Sequence, residues 1–145
     1  MSLPLVAFGL ALGAIVVAGA STGGSESPKS VIRPCPNKPN CVSSRAPEGS
    51  RRMDPIRYQG SVEAARERLL GVIHSSPRST VVQNEGIYVK IEFRSAIFSF
   101  VDDVEFELDD GSKLIHFRSA SRLGYYDFGV NRRRMESISR QFSGK

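Results

Sequence analysis

The sequence predicts an α+β fold, an antiparallel sheet of four to five strands with two helices packed on one face. Apolar residues recur at helical spacing in residues 62–73 and 131–142, and they alternate with polar residues in the runs between. The resulting order β-α-β-β-β-β-α gives an antiparallel sheet. We expect a disulfide-closed loop and an N-terminal apolar helix to precede this domain.

The chain divides into residues 1–20 as a signal peptide or membrane anchor, residues 21–32 as a linker, and residues 33–145 as a single α+β domain. Residues 3–20 carry no charge and would form roughly 27 Å of helix, marginal for a bilayer core about 30 Å thick. Ala18-Gly19-Ala20 fits a signal-peptidase site, whereas no basic residue precedes the apolar run. A cleaved signal and an uncleaved anchor both stay open, and either places the domain outside the cytosol.

The two cysteines lie in a proline-rich loop. Five residues, two of them proline, separate Cys35 from Cys41, so the loop can fold back and bring the sulfurs together. A disulfide there needs the oxidising compartment that an export segment supplies. Reduced thiols and a metal or redox site are the alternatives, but two ligands without a nearby histidine make a poor zinc site. No metal and no cofactor are predicted.

The first helix has a clear start and end. Residues 56–58 alternate as a short strand, and Gly60-Ser61 then provides a cap. Residues 75–77, Ser-Ser-Pro, end the helix. Its inward side chains are expected to be Val62, Ala65, Leu69, Val72 and Ile73.

Strand patterns follow the first helix. Residues 80–83 lead into a turn signal at residues 84–86, and residues 87–93 alternate with the period of a half-buried strand. After a short break, Phe98 and Phe100 continue the alternation.

The next hairpin can be given a register. Asp110-Gly111 is a preferred pair for a two-residue turn, and that turn brings apolar residues together on one face and charged residues on the other. The expected pairs are Phe106–Ile115 and Val104–Phe117 on the apolar face, with Asp102–Ser119 at its end, and Glu105–His116 and Asp103–Arg118 on the polar face.

The second helix begins at about Asn131 after a loop at residues 123–129, and Met135, Ile138 and Phe142 face inward. Residues 118–134 around this helix start are the candidate binding region, because arginines and hydroxyls crowd there and a helix N-terminus can hold an anion. The alternative is that Asp127 or Asn131 caps the helix while the arginines pair with nearby carboxylates. The candidate binding residues are Asp102, Asp103, Arg118, Ser119, Ser121, Arg122, Tyr125, Asp127, Asn131 and Arg132.

Catalysis has weaker support. A carboxylate beside His116 could act as a general base, but the polar face holds no evident nucleophile, and exposed cross-strand ion pairs give the same pattern. Ser119 and Ser121 do not lie in a nucleophile-elbow sequence. Asp102 and Ser119 form either a structural hydrogen bond or part of a pocket rim.

Three motifs in order resemble the domain-of-unknown-function 1499 family. They are CPNKPNCVSS at residues 35–44, FVDDVEF at residues 100–106 and IHFRSASRLGYYDFGVNRRR at residues 115–134. The resemblance implies occurrence in bacteria, cyanobacteria and plastid-bearing eukaryotes, often behind an export segment, and no established activity. It also implies that a shared function lies at the cysteine pair and residues 118–134 rather than on the Glu105/His116 face.

Two functions are therefore compared. The first is a non-catalytic accessory domain, membrane-anchored or secreted on the extracytoplasmic side (periplasm, or thylakoid lumen in a photosynthetic cell), that docks a protein partner or an anionic ligand. The second is a small hydrolase or transferase acting on an anionic or lipid-derived substrate. Residues 3–20 would contact the membrane if uncleaved. Nucleic acid is not an expected partner, because the basic residues behind the net charge of +5 are spread along the chain.

Overall fold

The computed structural model describes residues 29–144, which fold as one antiparallel sheet with two helices, as the sequence predicts, although the sheet has six strands rather than four to five. The predicted N-terminal helix lies outside the described residues. None of the described helices is long and apolar enough to cross a membrane. In chain order the elements are β1 (Cys41–Ser43), β2 (Ile56–Arg57), α1 (Val62–Ser75), β3 (Ser79–Glu85), β4 (Tyr88–Arg94), β5 (Val101–Asp109), β6 (Leu114–Ser121) and α2 (Val130–Ser143).

Both helices pack on one face of the sheet, whose strand order is β1-β6-β5-β4-β3, with β2 also pairing β6. Ser61 caps α1 as predicted, its hydroxyl accepting the Ala64 N–H at 3.2 Å. The core contains the predicted apolar faces of α1 and α2 against alternate residues of the strands. Its sheet members are Val89, Ile91, Phe93, Val104, Phe106, Leu108, Ile115 and Phe117.

The predicted hairpin register is wrong by two residues. Asp109 pairs with Leu114, so four residues form the turn instead of two, and Phe106 faces Phe117. The Asp109 carboxylate organises this longer turn by accepting the Gly111 N–H and the Ser112 hydroxyl. Because side chains alternate with a period of two, the slip leaves each predicted side chain on its predicted face.

Two other expectations change. The segment at Cys41–Ser43, expected to be a loop, is a strand that pairs with β6, Cys41 facing Ala120. Phe98 and Phe100 do not continue the sheet but lie exposed in the connection from β4 to β5.

The polar face of β5 and β6 is not the exposed surface that the sequence predicts. Glu105 is only 1% exposed, and Glu107 and Arg118 are also buried. Residues 30–33 and the Arg45 side chain cover this side of the sheet, where Glu107 accepts the Ser30 hydroxyl at 2.6 Å, the Val31 N–H at 2.9 Å and the Arg45 guanidinium at 2.6 Å. We call this side the back face; its central residues are Asp103, Glu105, Glu107, His116 and Arg118.

A disulfide joins Cys35 to Cys41, as predicted, and fixes the chain immediately before β1. The double variant Cys35→Ser/Cys41→Ser is expected to lose about 2 kcal/mol of unfolding free energy, the chain-entropy value for so short a loop. Denaturant titration of the oxidised, reduced and variant proteins measures this loss. An equal stability of the oxidised and variant proteins would contradict it.

Candidate functional site

The candidate residues of segment 118–134 are divided between the two faces of the sheet. Along β6, Ser119 and Ser121 point toward the helices with Ile115 and Phe117, whereas Arg118 lies on the back face. Because alternate residues of a strand face opposite sides, one contiguous binding pocket cannot contain all of the predicted residues.

On the helix side, the amide of Asn131 is the centre of a buried polar network. Its Oδ1 accepts the Ser119 hydroxyl at 2.5 Å, and its Nδ2 donates to the Ser121 hydroxyl at 3.0 Å and to the Asn40 carbonyl at 3.1 Å. Asn131 and Ser119 are fully buried. Since a buried amide costs free energy unless its hydrogen bonds are made, this network has a structural role.

Arg134 completes the network and was not among the predicted site residues. Its guanidinium donates to Asp102 at 2.5 Å and to the Asn131 Oδ1 at 2.8 Å, and it lies over the Phe93 ring, 4.7 Å from the centroid. Asp102 therefore pairs with Arg134 rather than facing Ser119 across the hairpin as predicted; its strand partner is Ser121. An acidic residue on the apolar face of a strand requires a cationic partner, and this requirement could have pointed to Arg134 in the sequence.

The N-terminus of α2 is occupied by a side chain of the protein itself. Asp127 accepts the Asn131 N–H at 2.8 Å and the Gly129 N–H at 3.1 Å, the predicted capping alternative. Burial opposes ionisation of this carboxyl, but the N–H donors outweigh burial, and the pKa of Asp127 lies below its usual range. An anion would have to displace this carboxylate.

Ion pairs fill the back face. Arg118 donates to Glu105 at 2.9 Å, and Glu105 also accepts the Arg33 guanidinium at 3.1 Å and the Tyr88 hydroxyl at 2.7 Å. Burial of the Tyr88 phenol, together with its hydrogen bond to Glu105, raises the pKa of Tyr88 above its usual value.

At the exposed edge of the same face, Arg122 binds both oxygens of Asp103 at 2.8 Å and also contacts Glu92 at 2.5 Å. The hydrogen bond from Arg122 is the main reason that the pKa of Asp103 is lowered, with Lys90 adding to the effect. Arg122, Asp103 and Arg118 are thus committed to pairs within the protein.

Glu107 and His116 lie at the other end of the back face. Burial opposes ionisation of Glu107, yet the Ser30 hydroxyl, the Arg45 charge and two backbone N–H groups lower its pKa overall. The pKa of His116 is also lowered, first by burial and then by the Arg45 charge. Ser119 and Ser121 point to the opposite side of the sheet, so neither can form a catalytic triad with His116.

The remaining candidates do not converge. Arg132 donates to the carbonyls of Ser50 and Arg52 at 2.6 and 3.1 Å, and Tyr125 is 56% exposed, outside the buried network. Asp102 lines an open groove of about 420 Å³ between α1, β4 and α2, without Ser119, Ser121 or Tyr125. The hydrolase or transferase hypothesis requires Asp102, Ser119, Ser121 and Tyr125 to converge around one pocket, and no such pocket is formed among the described residues.

Segment 118–134 and residues 95–100 instead expose large apolar side chains, of which the sequence analysis selected only Tyr125 as a binding residue. Eight of the eleven large hydrophobic residues that are exposed in the described part of the chain lie in two loops, residues 95–100 and 122–130. We call these loops together the apolar end; their exposed side chains are Ile97, Phe98, Phe100, Leu123, Tyr125, Tyr126, Phe128 and Val130. The sequence signal that could have identified this surface is a run of apolar residues that lies between two elements and has neither strand nor helix periodicity.

The buried position of Arg118 leads to a stability prediction. Arg118→Met keeps the side-chain length but leaves Glu105 without its buried partner, and we expect a loss of about 3 kcal/mol of unfolding free energy. Arg122→Met, at the exposed edge, is the matched control, and a loss of about 1 kcal/mol is expected because Lys90 still contacts Asp103. Denaturant unfolding of both variants checks this, and equal losses would contradict it.

The lowered pKa of Glu107 leads to a pH prediction. Its folded-state pKa lies below the reference value of 4.5, so its contribution to stability is complete above that pH and is lost as the pH falls further. We expect Glu107→Gln to be less stable than the natural protein at neutral pH, with the difference shrinking in acid. Urea titrations at a series of pH values measure it; a difference that grows in acid would give the pKa shift the opposite sign.

Comparison with known proteins gives a family for this chain. The family model described as a protein of unknown function (DUF1499) matches residues 31–142, which include both faces of the sheet and the apolar end. Neither the curated proteins nor the solved structures contain a match to the chain. Since the family model spans most of the sequence, the chain belongs to the DUF1499 family.

Proposed function

We propose that this chain is a non-catalytic binding domain that works outside the cytosol, in a membrane-anchored or exported form, and docks through its apolar end. The observation that carries the proposal is the division of segment 118–134. Its polar candidates other than Tyr125 make hydrogen bonds or ion pairs within the protein, whereas its large apolar side chains from Leu123 onward face solvent. Exposed apolar patches of this kind mark contact surfaces more often than catalytic sites.

The buried network supports docking by holding the apolar end in a defined shape. Asn40 donates to the Gly124 carbonyl at 2.7 Å, and Arg133 donates to the Phe128 carbonyl at 2.9 Å. The Tyr125 and Tyr126 rings contact each other edge to face, 4.8 Å between centroids. A surface that is ordered before contact loses less conformational entropy on binding.

The extracytoplasmic location is supported by two features. The Cys35–Cys41 disulfide, next to β1, is of a kind that persists in oxidising compartments. Residues 3–20 provide either an export signal or an anchor. With an anchor retained, the docking surface would always act close to a membrane.

The hydrolase or transferase alternative has no comparable support. The carboxylates and serines proposed for it belong to ion pairs or to the Asn131 network. A protein partner or an anionic ligand at the apolar end is the binding function that the geometry favours, with Arg133 beside Phe128 placed to contact an acidic group.

Photo-cross-linking in native membranes tests this proposal. A photoreactive phenylalanine analogue is introduced at Phe128 or at Phe98, and at Ile87 as a control, which is an exposed apolar residue at the opposite end of β4. We expect adducts from the first two positions and none from the third. The thermal unfolding midpoint of each variant should be unchanged, because these side chains are exposed.

Adducts at none of the three positions, or equally at all three, would contradict docking through the apolar end. In either case the apolar end would make no contact that the rest of the domain does not also make.

A further inference from the structure

The two loops of the apolar end project from the same edge of the sheet. Asp102, near the start of β5, pairs with Ser121 at the end of β6, and the Arg122 N–H donates to the Val101 carbonyl at 3.0 Å. The loop before β5 and the loop after β6 therefore leave adjacent strands side by side. Together they form one surface rather than two separate patches.

The tips of this surface are strongly exposed. Phe128 is 88% exposed and Ile97 is 83% exposed, one in each loop, and Phe98 and Phe100 lie beside each other with 5.5 Å between ring centroids. A protein partner is usually recognised by anchor residues surrounded by a rim that excludes water. Two protruding loop tips with bare aromatic and aliphatic side chains are better suited to entering a soft apolar phase.

One exposed arginine at these tips has no carboxylate partner among the described residues. Arg133 donates to the Phe128 carbonyl, whereas Arg94 and Arg122 both pair with Glu92, and Arg122 also binds Asp103. The other acidic residues there are paired as well: Asp102 binds Arg134, and Asp127 binds the N–H groups of α2. Aromatic side chains flanked by arginines are the pattern that holds interfacial segments at the surface of an anionic bilayer.

The N-terminal tether is long enough to allow this contact. Ser30 is held at Glu107, six residues along β5 from Val101, which corresponds to roughly 20 Å of strand. Residues 21–29, nine in number, span at most about 30 Å when extended. An uncleaved anchor at residues 3–20 thus permits the apolar end, on the far side of the domain from the tether, to reach the same membrane.

We propose that the apolar end inserts into the interface of an anionic lipid bilayer, with Ile97, Phe98 and Phe128 entering between the headgroups and Arg133 near the lipid phosphates. This inference rests on the proposed function, for which it names the partner as a lipid surface. The buried network beneath the loops fixes their spacing, so the domain lies on the membrane in one orientation.

A tryptophan depth measurement on the full chain tests this inference. The natural sequence has no tryptophan, so Phe128→Trp and Ile87→Trp each introduce a single fluorophore. Each variant is reconstituted in vesicles of phosphatidylcholine with phosphatidylglycerol that carry brominated acyl chains. We expect a blue-shifted emission for Phe128→Trp and quenching at least about fivefold that of Ile87→Trp, because only one end enters the interface.

Ile87 is a sharp control because it lies at the end of the sheet where the tether attaches. A domain that hangs from its anchor without docking would bring Ile87 closer to the lipid than Phe128. Greater quenching of Ile87→Trp, or equal quenching of both variants, would overturn the inference. Using phosphatidylcholine alone should reduce the quenching, since Arg133 acts through anionic headgroups.

A different outcome separates this inference from the function on which it rests. If Phe128→Trp is not quenched by lipid while the photo-cross-linker at Phe128 still captures one protein, the apolar end docks on a protein and the lipid inference is wrong. If cross-linking also fails, both the lipid inference and the docking function are wrong.

Discussion

The alternation of side chains along β6 determines most of what this domain can do. This strand pairs with β1, β2 and β5, so it is held on both edges and its register is fixed. Ser119 and Ser121 must then face the helices, and Arg118 must face the back of the sheet. Two separate polar systems result, one on each side, where the sequence suggests a single cluster of arginines and hydroxyls.

Each system is closed by a segment from a distant part of the chain. On the back face, residues 30–46 bring Arg33 and Arg45 to Glu105 and Glu107. On the helix side, Asn40 supplies a carbonyl to Asn131, close to the disulfide at Cys41. Buried charges add little net stability even when paired, but leaving one unpaired is costly. These contacts therefore favour the fold in which the buried charges are paired.

The elements that could be predicted from sequence are those with a local cause. The cap at Ser61, the apolar stripe of α2 and the faces of the β5–β6 hairpin all follow from periodicity and capping chemistry. The hairpin register was missed because the Asp109 side chain organises a four-residue turn that competes with the preferred Asp110-Gly111 pair.

The candidate site was less predictable because its partners are distant in sequence. Burial of Glu105 depends on residues 30–46, which have no periodicity that places them on the sheet. The role of Arg134 depends on Asp102 reaching the helix side, thirty-two residues away. The exposure of Phe98 and Phe128 is likewise a property of the assembled loops, since an apolar residue between two elements is equally compatible with burial.

The energetics of the apolar end explain why a tether and exposed loops would occur in one chain. Fully burying a phenylalanine side chain contributes about 1.5–3 kcal/mol, and partial insertion at an interface contributes less. A few such residues give weak, reversible contact for a free domain. Anchoring the same domain raises the effective concentration of the loops at the bilayer, so that weak contact becomes persistent. The anchor would then keep the domain near the membrane, and the apolar end would set the orientation of the domain. The opposite end of the sheet, around Ile87, would be directed away from the membrane.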